Sequence, residues 1–351
     1  MDVSLIVGQA KALWAQATAF VVSHSDIAVL AGLVAIVVVA VAAAMALGAV
    51  IRVLGAAHRA ARASGVRRTT DVGARMLVVR GGAGRRSAIG RFVRSTADDH
   101  LAQFMFGGPF RVINFPGALD NELDAEALLR RTEADLVIWA ERPRGTRGVV
   151  RIASRPASPF EKLRPVQTLV MPPKKSQWTE ALARATAYAA AKQFRPALGR
   201  PQDFRSERLQ PVVENLLEIL EEKPAADPRL LAEMVDDAAS GALQLAFAGD
   251  ETWLDRSVEI ARATIDEINR SDAPDRWISA KINLGRALRL KAEKRFDPVL
   301  LRESIDHLTE ALEALRTEPR FKLAESAAQA IGDAQRLLGA RRKFSITGGG
   351  I

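Results

Sequence analysis

The 351-residue chain contains no cysteine. That absence excludes disulfides, thiolate catalysis and cysteine-ligated zinc, and it agrees with a reducing compartment. Histidine is scarce too: His24, His58, His100 and His307 lie in different regions, and no two have the i, i+4 spacing of a helical metal site. After the run Gly81-Gly82-Ala83-Gly84 there is no G-x-G-x-x-G, and the phosphate-loop spacing fails because Arg91 stands where a lysine followed by Ser or Thr is needed. Asp98-Asp99-His100 is the tightest polar cluster, but adjacent residues on a helix point in different directions, so it reads as a solvated face. Ser23-His24-Ser25 has no catalytic context. These absences leave a non-enzymatic chain as the expectation, without a cofactor or a metal.

Charge is missing from Ile27 to Ile51, twenty-five consecutive residues bounded by Asp26 and Arg52. At about 1.5 Å per residue the run exceeds the roughly 30 Å hydrocarbon core and reads as a transmembrane helix over 26–53. It is too long for a signal-peptide core, and the region before it carries Asp2 rather than a basic cluster. From Arg52 to Arg94 there are eleven Arg, no Lys and one acid, Asp71. The positive-inside rule then puts the bulk of the chain in the cytoplasm and the short N-terminal tail outside, and the expected location is single-pass in the inner (cytoplasmic) membrane. Residues 1–25 read as an interfacial helix with Trp14 at headgroup level; a second span there would have to accommodate Gln9, Lys11 and Gln16. The net charge of +9 has its excess beside the span. Arg52, Arg59, Arg62, Arg67 and Arg68 are accordingly expected to meet anionic lipid, with nucleic acid as the alternative partner of this stretch. Ala40, Ala44 and Gly48 form a small-x-x-x-small stripe that permits a homodimer through the span.

Residues 54–75 form a basic juxtamembrane linker that extends the helix until Gly65 and Thr69-Thr70 loosen it. Strand and helix signals alternate over 76–173. Met76–Arg80 and Phe110–Phe115 read as strands, Ile89–Phe106 and Asn121–Arg131 as helices, and Ala134–Ala140 with Gly148–Ala153 as a hairpin across Pro143 and Gly145. A last apolar stretch, Val166–Met171, ends at Pro172-Pro173. Residues 174–342 have almost no strand signal. Helix follows helix, with Pro201, Pro224, Pro228, Pro274, Pro298 and Pro319 near helix starts and Asp227, Asp250, Asp272 and Asp297 as N-caps. Residues 343–351 are expected to be a flexible tail.

The helical region repeats weakly. Gly241-Ala-Leu, Gly285-Arg-Ala-Leu and Gly332 fall 44 and 47 residues apart, and Leu254–Ala261 aligns with Leu301–Leu308. Such periods indicate stacked helical hairpins, with the glycines where two helices of one hairpin approach too closely for a side chain. Asn283-Leu284-Gly285 with Leu288, and Ser304 to Ala311 with its small residues, resemble the two helices of a tetratricopeptide repeat. The period exceeds 34 because Lys291–Leu300 lengthens the turn, and Pro319 comes late. Separately, Met76–Arg80, Phe110–Asn114 and Ala134-Asp-Leu-Val-Ile-Trp-Ala-Glu141 resemble the N-terminal domain of TolB, which implies a docking or assembly module without catalytic residues. The expected fold is therefore α+β overall: one transmembrane helix, a small mixed α/β domain and an all-α tetratricopeptide-like solenoid of helical hairpins.

The resemblance places a concave groove on the first-helix positions around the glycine, Ser279, Ile282, Arg286 and Arg289, with Gln329, Asp333 and Arg336 added by the last unit. Its arginines favour an acidic peptide or helix. The lysine and asparagine clamp of chaperone-binding repeats is not matched, because Lys281 is on another face. The expected function is a membrane-anchored adaptor or scaffold that holds a protein partner at the cytoplasmic face. The alternative is a sensory or regulatory protein that binds a small anion or nucleotide in the α/β domain, at Arg85, Arg86 and Ser87.

Overall fold

In a computed structural model of the protein, the described residues are 12, 14–16, 19, 27–68, 73–81, 88–105, 109–119, 121–141, 147–155, 166–194, 205–316 and 321–347. They fall into two compact units, Met1–Gly65 and Val66–Ile351. The expected interfacial helix over 1–25 lies almost wholly outside the described residues; Trp14 is exposed.

Helix α1 (Ile27–Arg67) dominates the first unit. Up to Ile51 its alanines and branched aliphatics leave no polar face, and Val37, Val38, Val39 and Val41 are exposed on successive sides of it. Mean hydropathy reaches 2.9 over its most apolar stretch, none of which is buried, so this helix is long and apolar enough to cross a membrane. Gly65 does not break it, since helical geometry continues to Arg67; Thr69 and Thr70 lie outside the described residues.

The second unit opens with strand β1 (Ala74–Gly81), in which Leu77 and Val79 are buried on one face and Met76 and Val78 on the other. Buried apolar residues on both faces mark a central strand. Around it, β2 (Phe110–Leu119), β3 (Leu136–Glu141), β4 (Val149–Ser154) and β5 (Gln167–Val170) form a mixed five-stranded sheet of order β2-β1-β3-β4-β5. Strand β1 is parallel to β2 and β3, and β4 is antiparallel to β3 and β5. Strand β2 runs four residues past the expected end at Phe115: the register shifts between Val79 and Arg80, skipping Pro116 and Gly117, and Gly117 takes φ +127°. A bulge at that point accommodates a proline that cannot donate to the ladder.

Helix α2 (Ala88–Ser95) continues through one wide π-helical turn (Thr96–His100) and one 3-10 turn (Leu101–Phe104). Helix α3 (Glu122–Thr132) starts where the Asn121 side chain accepts from the Asp124 N–H at 2.9 Å, and it stops at Glu133, which takes φ +55°. Among the described residues seven helices follow: α4 (Glu180–Phe194), α5 (Ser206–Glu221), α6 (Pro228–Phe247), α7 (Glu251–Glu267), α8 (Pro274–Lys294), α9 (Pro298–Leu315) and α10 (Phe321–Thr347). Asp227, Asp250 and Asp297 cap α6, α7 and α9 by accepting from the N–H groups of Arg229, Thr252 and Val299, two residues on. Each such cap contributes about 1 kcal/mol. Asp272 does not cap α8; Ala273 holds that position, and Asp272 accepts from the Ser271 hydroxyl instead.

One sheet face, with Met76, Val78, Leu136, Ile138 and Ile152, packs on Ile89, Val93, Leu101 and Phe104 and on the alanine-rich α4. Helix α3 covers the other, where Leu77, Val79, Val137 and Trp139 are buried. The first core continues without a break through α4 into α5, α6, α7 and α8. From α5 onward each helix packs on the next, and α8 also touches α6 and α10. Gly285 of α8 faces α9 so closely that a Cβ there would lie 2.5 Å from Leu308 Cγ and 3.1 Å from the Ser304 carbonyl oxygen. The small Ser304 fits this seam and donates to the Gly285 carbonyl at 2.6 Å. Gly241 is crowded as well, but by Val213 of the preceding α5 rather than by its own hairpin partner α7. Gly332 departs from the expectation, with nothing within 4 Å of the position its Cβ would take.

Candidate functional site

Helix α8 carries six cations, Arg276, Lys281, Arg286, Arg289, Lys291 and Lys294, against Asp275 and Glu293. Neighbouring helices supply most of the missing negative charge. Arg276 holds Asp236 of α6 at 2.9 Å, Lys281 holds Glu310 of α9 at 2.7 Å, and Lys291 and Lys294 reach Asp255 and Glu251 of α7. Arg289 pairs within its own helix, with Glu293 at 2.7 Å. Arg286 is the exception. Among the described residues it makes no hydrogen bond and no ion pair, and its guanidinium lies 4.9 Å from the centre of the Phe247 ring. Arg289 shares that ring at 6.0 Å. Burial, and then the repulsion of Arg289, pulls the Arg286 pKa below the ordinary arginine value. A half-buried guanidinium with no counter-charge is costly to keep in a fold.

The seam between α6 and α8 shows how the fold assembles this site. Asp236 meets Arg276, Ser240 meets Asn283, and Phe247 meets Arg286, each pair separated by roughly forty residues. The pairs progress in the same direction along both helices, so α6 and α8 run parallel. Phe247 is the site residue that the repeat pattern does not announce: it closes α6, and only the parallel register brings it beneath α8.

The other expected groove residues are distributed as follows. Ser279 is half-buried on α8. Ile282 is not on a surface: it is 3% exposed and packs with Leu308, Ala311 and Ala327 between α8, α9 and α10, because an apolar side chain at that helical phase completes the core. On α10, Gln329 is exposed, and Arg336 is neutralised by Asp333 one turn away. No described hydrogen bond or ion pair joins this trio to Arg286 or Arg289. Lys281 faces α9, where its ammonium also contacts His307 Nδ1 at 3.0 Å and lies over the Trp277 ring at 5.1 Å. Burial and then Lys281 hold the His307 pKa below the usual histidine value.

Of the expected membrane-surface arginines, Arg59, Arg62, Arg67 and Arg68 are exposed on α1 or just beyond its end, and the Arg52 side chain lies outside the described residues. Arg67 is committed to Glu133 at 2.9 Å. Residues 82–87, with the glycine run and Arg85, Arg86 and Ser87, also lie outside them. In the Asp98-Asp99-His100 cluster, Asp99 accepts from the Ser95 hydroxyl at 2.6 Å and Asp98 is exposed.

A second polar cluster joins α4 to α6. Tyr188 donates to Asp237, and Lys192 reaches Asp237 at 3.0 Å and Glu233 at 3.2 Å. Burial and then Asp237 hold the Tyr188 hydroxyl well above its usual pKa. Burial raises Asp237 against the opposing pull of Lys192, and raises Asp236 against Arg276. For Lys192 burial acts downward, but Asp237 and Glu233 together outweigh it and the net shift is upward. Despite its three carboxylates, this cluster is internally paired, and among the described residues no group of His, Asp and Glu is arranged to hold a metal ion.

Compared with known proteins, the chain matches no protein-family model, no curated protein and no solved structure.

Proposed function

We propose that this protein is a membrane-anchored, non-enzymatic adaptor. In this reading α1 spans the inner membrane with its arginine-rich end at the cytoplasmic, anionic leaflet, and the helices from α6 onward form a tetratricopeptide-like array that captures a protein partner. The α/β layer, in the manner of the TolB-like modules it resembles, serves docking or assembly. Tethering then raises the local concentration of the partner at the membrane. The observation that carries the proposal is the parallel seam of α6 and α8, with two guanidinium groups over one phenylalanine ring and only one carboxylate, Glu293, between them. Consecutive first helices of stacked hairpins run parallel in this way, and the surplus cation favours an acidic partner.

The test is affinity capture of the full-length protein from gently solubilised membranes, beside the double variant Arg286→Glu, Arg289→Glu, with its fold checked by circular dichroism. A partner retained by the native protein and lost from the folded variant is the expected result. The same partners in both would move the binding surface away from α8. Absence of any membrane-dependent partner would remove the adaptor reading.

A further inference from the structure

We infer that Arg286, backed by the Phe247 ring, is the receptor for one carboxylate of an acidic segment in the partner. The inference rests on the adaptor reading above and names the chemistry of its site. Among the described residues, every other lysine or arginine whose side chain is buried or half-buried has a carboxylate or carbonyl partner: Arg75 has the Val66 carbonyl, Arg151 has Glu141 and Glu122, Arg184 has Glu218 and Glu222, Lys192 has Glu233 and Asp237, and the α8 cations have those already described. Arg286 alone has none. Its charge is held over an aromatic face, which orients the guanidinium plane and leaves its N–H edge unused.

Charge balance selects the ligand. Arg289 is already neutralised by Glu293, so the pair carries one surplus positive charge. A carboxylate matches the guanidinium fork and cancels that charge, whereas a phosphate dianion would leave a net negative charge in a half-buried site. The Phe247 ring offers apolar surface to the methylenes of a Glu or Asp side chain. An arginine retained for binding rather than for folding should weigh on stability when the site is empty.

The test uses the full-length protein in detergent micelles at about 0.15 M salt, where diffuse surface attraction is damped. The probe is a fluorescein-labelled hexaglutamate peptide followed by anisotropy. Three proteins are compared: native, Arg286→Met, and Arg302→Met as an exposed charge-loss control on α9. The expected result is saturable binding by native protein and by Arg302→Met, weakened at least tenfold in Arg286→Met, together with a higher melting temperature for Arg286→Met than for native. Equal binding by native and Arg286→Met overturns the inference, as does equal weakening in both variants. No binding by native protein overturns it as well, while a partner captured from membranes would leave the adaptor reading standing. Displacement of the peptide by equimolar inorganic phosphate would assign the site to phosphate instead, and Arg286-dependent binding of a single-stranded oligonucleotide without the peptide would assign it to nucleic acid. A lower melting temperature in Arg286→Met would make the residue structural and also count against the inference.

Discussion

Substituting alanine for Gly285 and, separately, for Gly332 sets two opposing terms against each other. In a helix interior the exchange of Gly for Ala gains about 1 kcal/mol from backbone entropy alone. At Gly332 nothing within 4 Å opposes the new methyl, so the whole gain is expected. At Gly285 the methyl would lie 2.5 Å from Leu308 Cγ, far inside contact distance, and 3.1 Å from the Ser304 carbonyl oxygen. Leu308 is fully buried between α8, α9 and α10 and has nowhere to swing. Overpacking of this kind costs roughly 1–3 kcal/mol, so the net effect at Gly285 ranges from about neutral to about 2 kcal/mol destabilising. At roughly 2–4 °C per kcal/mol for a domain of this size, Gly332→Ala should melt about 2–4 °C above native. Gly285→Ala should melt at or below native. Thermal unfolding of the full-length protein in micelles, followed by helical ellipticity, reads the difference. If Gly285→Ala were stabilised as much as Gly332→Ala, the close approach of α8 and α9 would be refuted, and with it the hairpin packing drawn around Ser304.

Tyr188 is the only tyrosine in the chain, so alkaline absorbance near 295 nm reports it alone. Its folded pKa is raised, so above about pH 10 the unfolded chain releases that proton first and stability falls; Lys192, also raised, adds to the loss in the same window. Tyrosinate should therefore appear only together with loss of helical ellipticity, and ionisation at the ordinary tyrosine pH with the fold intact would contradict its burial against Asp237. Glu141 accepts from the Trp139 indole N–H at 2.6 Å and from Arg151 at 3.1 Å; Glu141→Leu should cost about 1–3 kcal/mol, chiefly by leaving the indole N–H without its acceptor, since Arg151 keeps Glu122. Glu141→Gln, which keeps an acceptor for the indole, should lose less, and urea unfolding would measure the difference. An arginine in place of Val38 opposes membrane insertion by roughly 2.5–3.5 kcal/mol. Carbonate extraction should therefore keep the native protein in the membrane pellet and release part of Val38→Arg, whereas a native protein found in the supernatant would reject the span.

Much of the architecture is written in periodicity. The uncharged run, the alternating strands and the proline-led helices needed only local patterns, and Asp227, Asp250 and Asp297 cap the helices their spacing announced. What escapes the sequence is which surface meets which. Ile282 and Arg286 sit one helical turn apart, yet one completes a core with α9 and α10 and the other lies over Phe247 of α6, a division made by which helices flank α8. Gly332 repeats the spacing of Gly285 without its neighbour, because crowding is a property of the facing helix and not of the glycine. Helix α4 reads as one more alanine-rich helix after the last strand. No local pattern says that it lies on the sheet with Tyr188 turned toward α6.

That shared helix has a consequence for how the second unit responds to stress. Because α4 belongs at once to the layer over β3 and β4 and to the core that runs on through α8, the described residues of the two parts share one continuous interior. Heat or denaturant should dissolve them together in a single transition. A protease that cuts within α4 should release no stable fragment from either side. In the adaptor proposed above, load that the helices take from a partner would be borne by the same packed interior as the sheet.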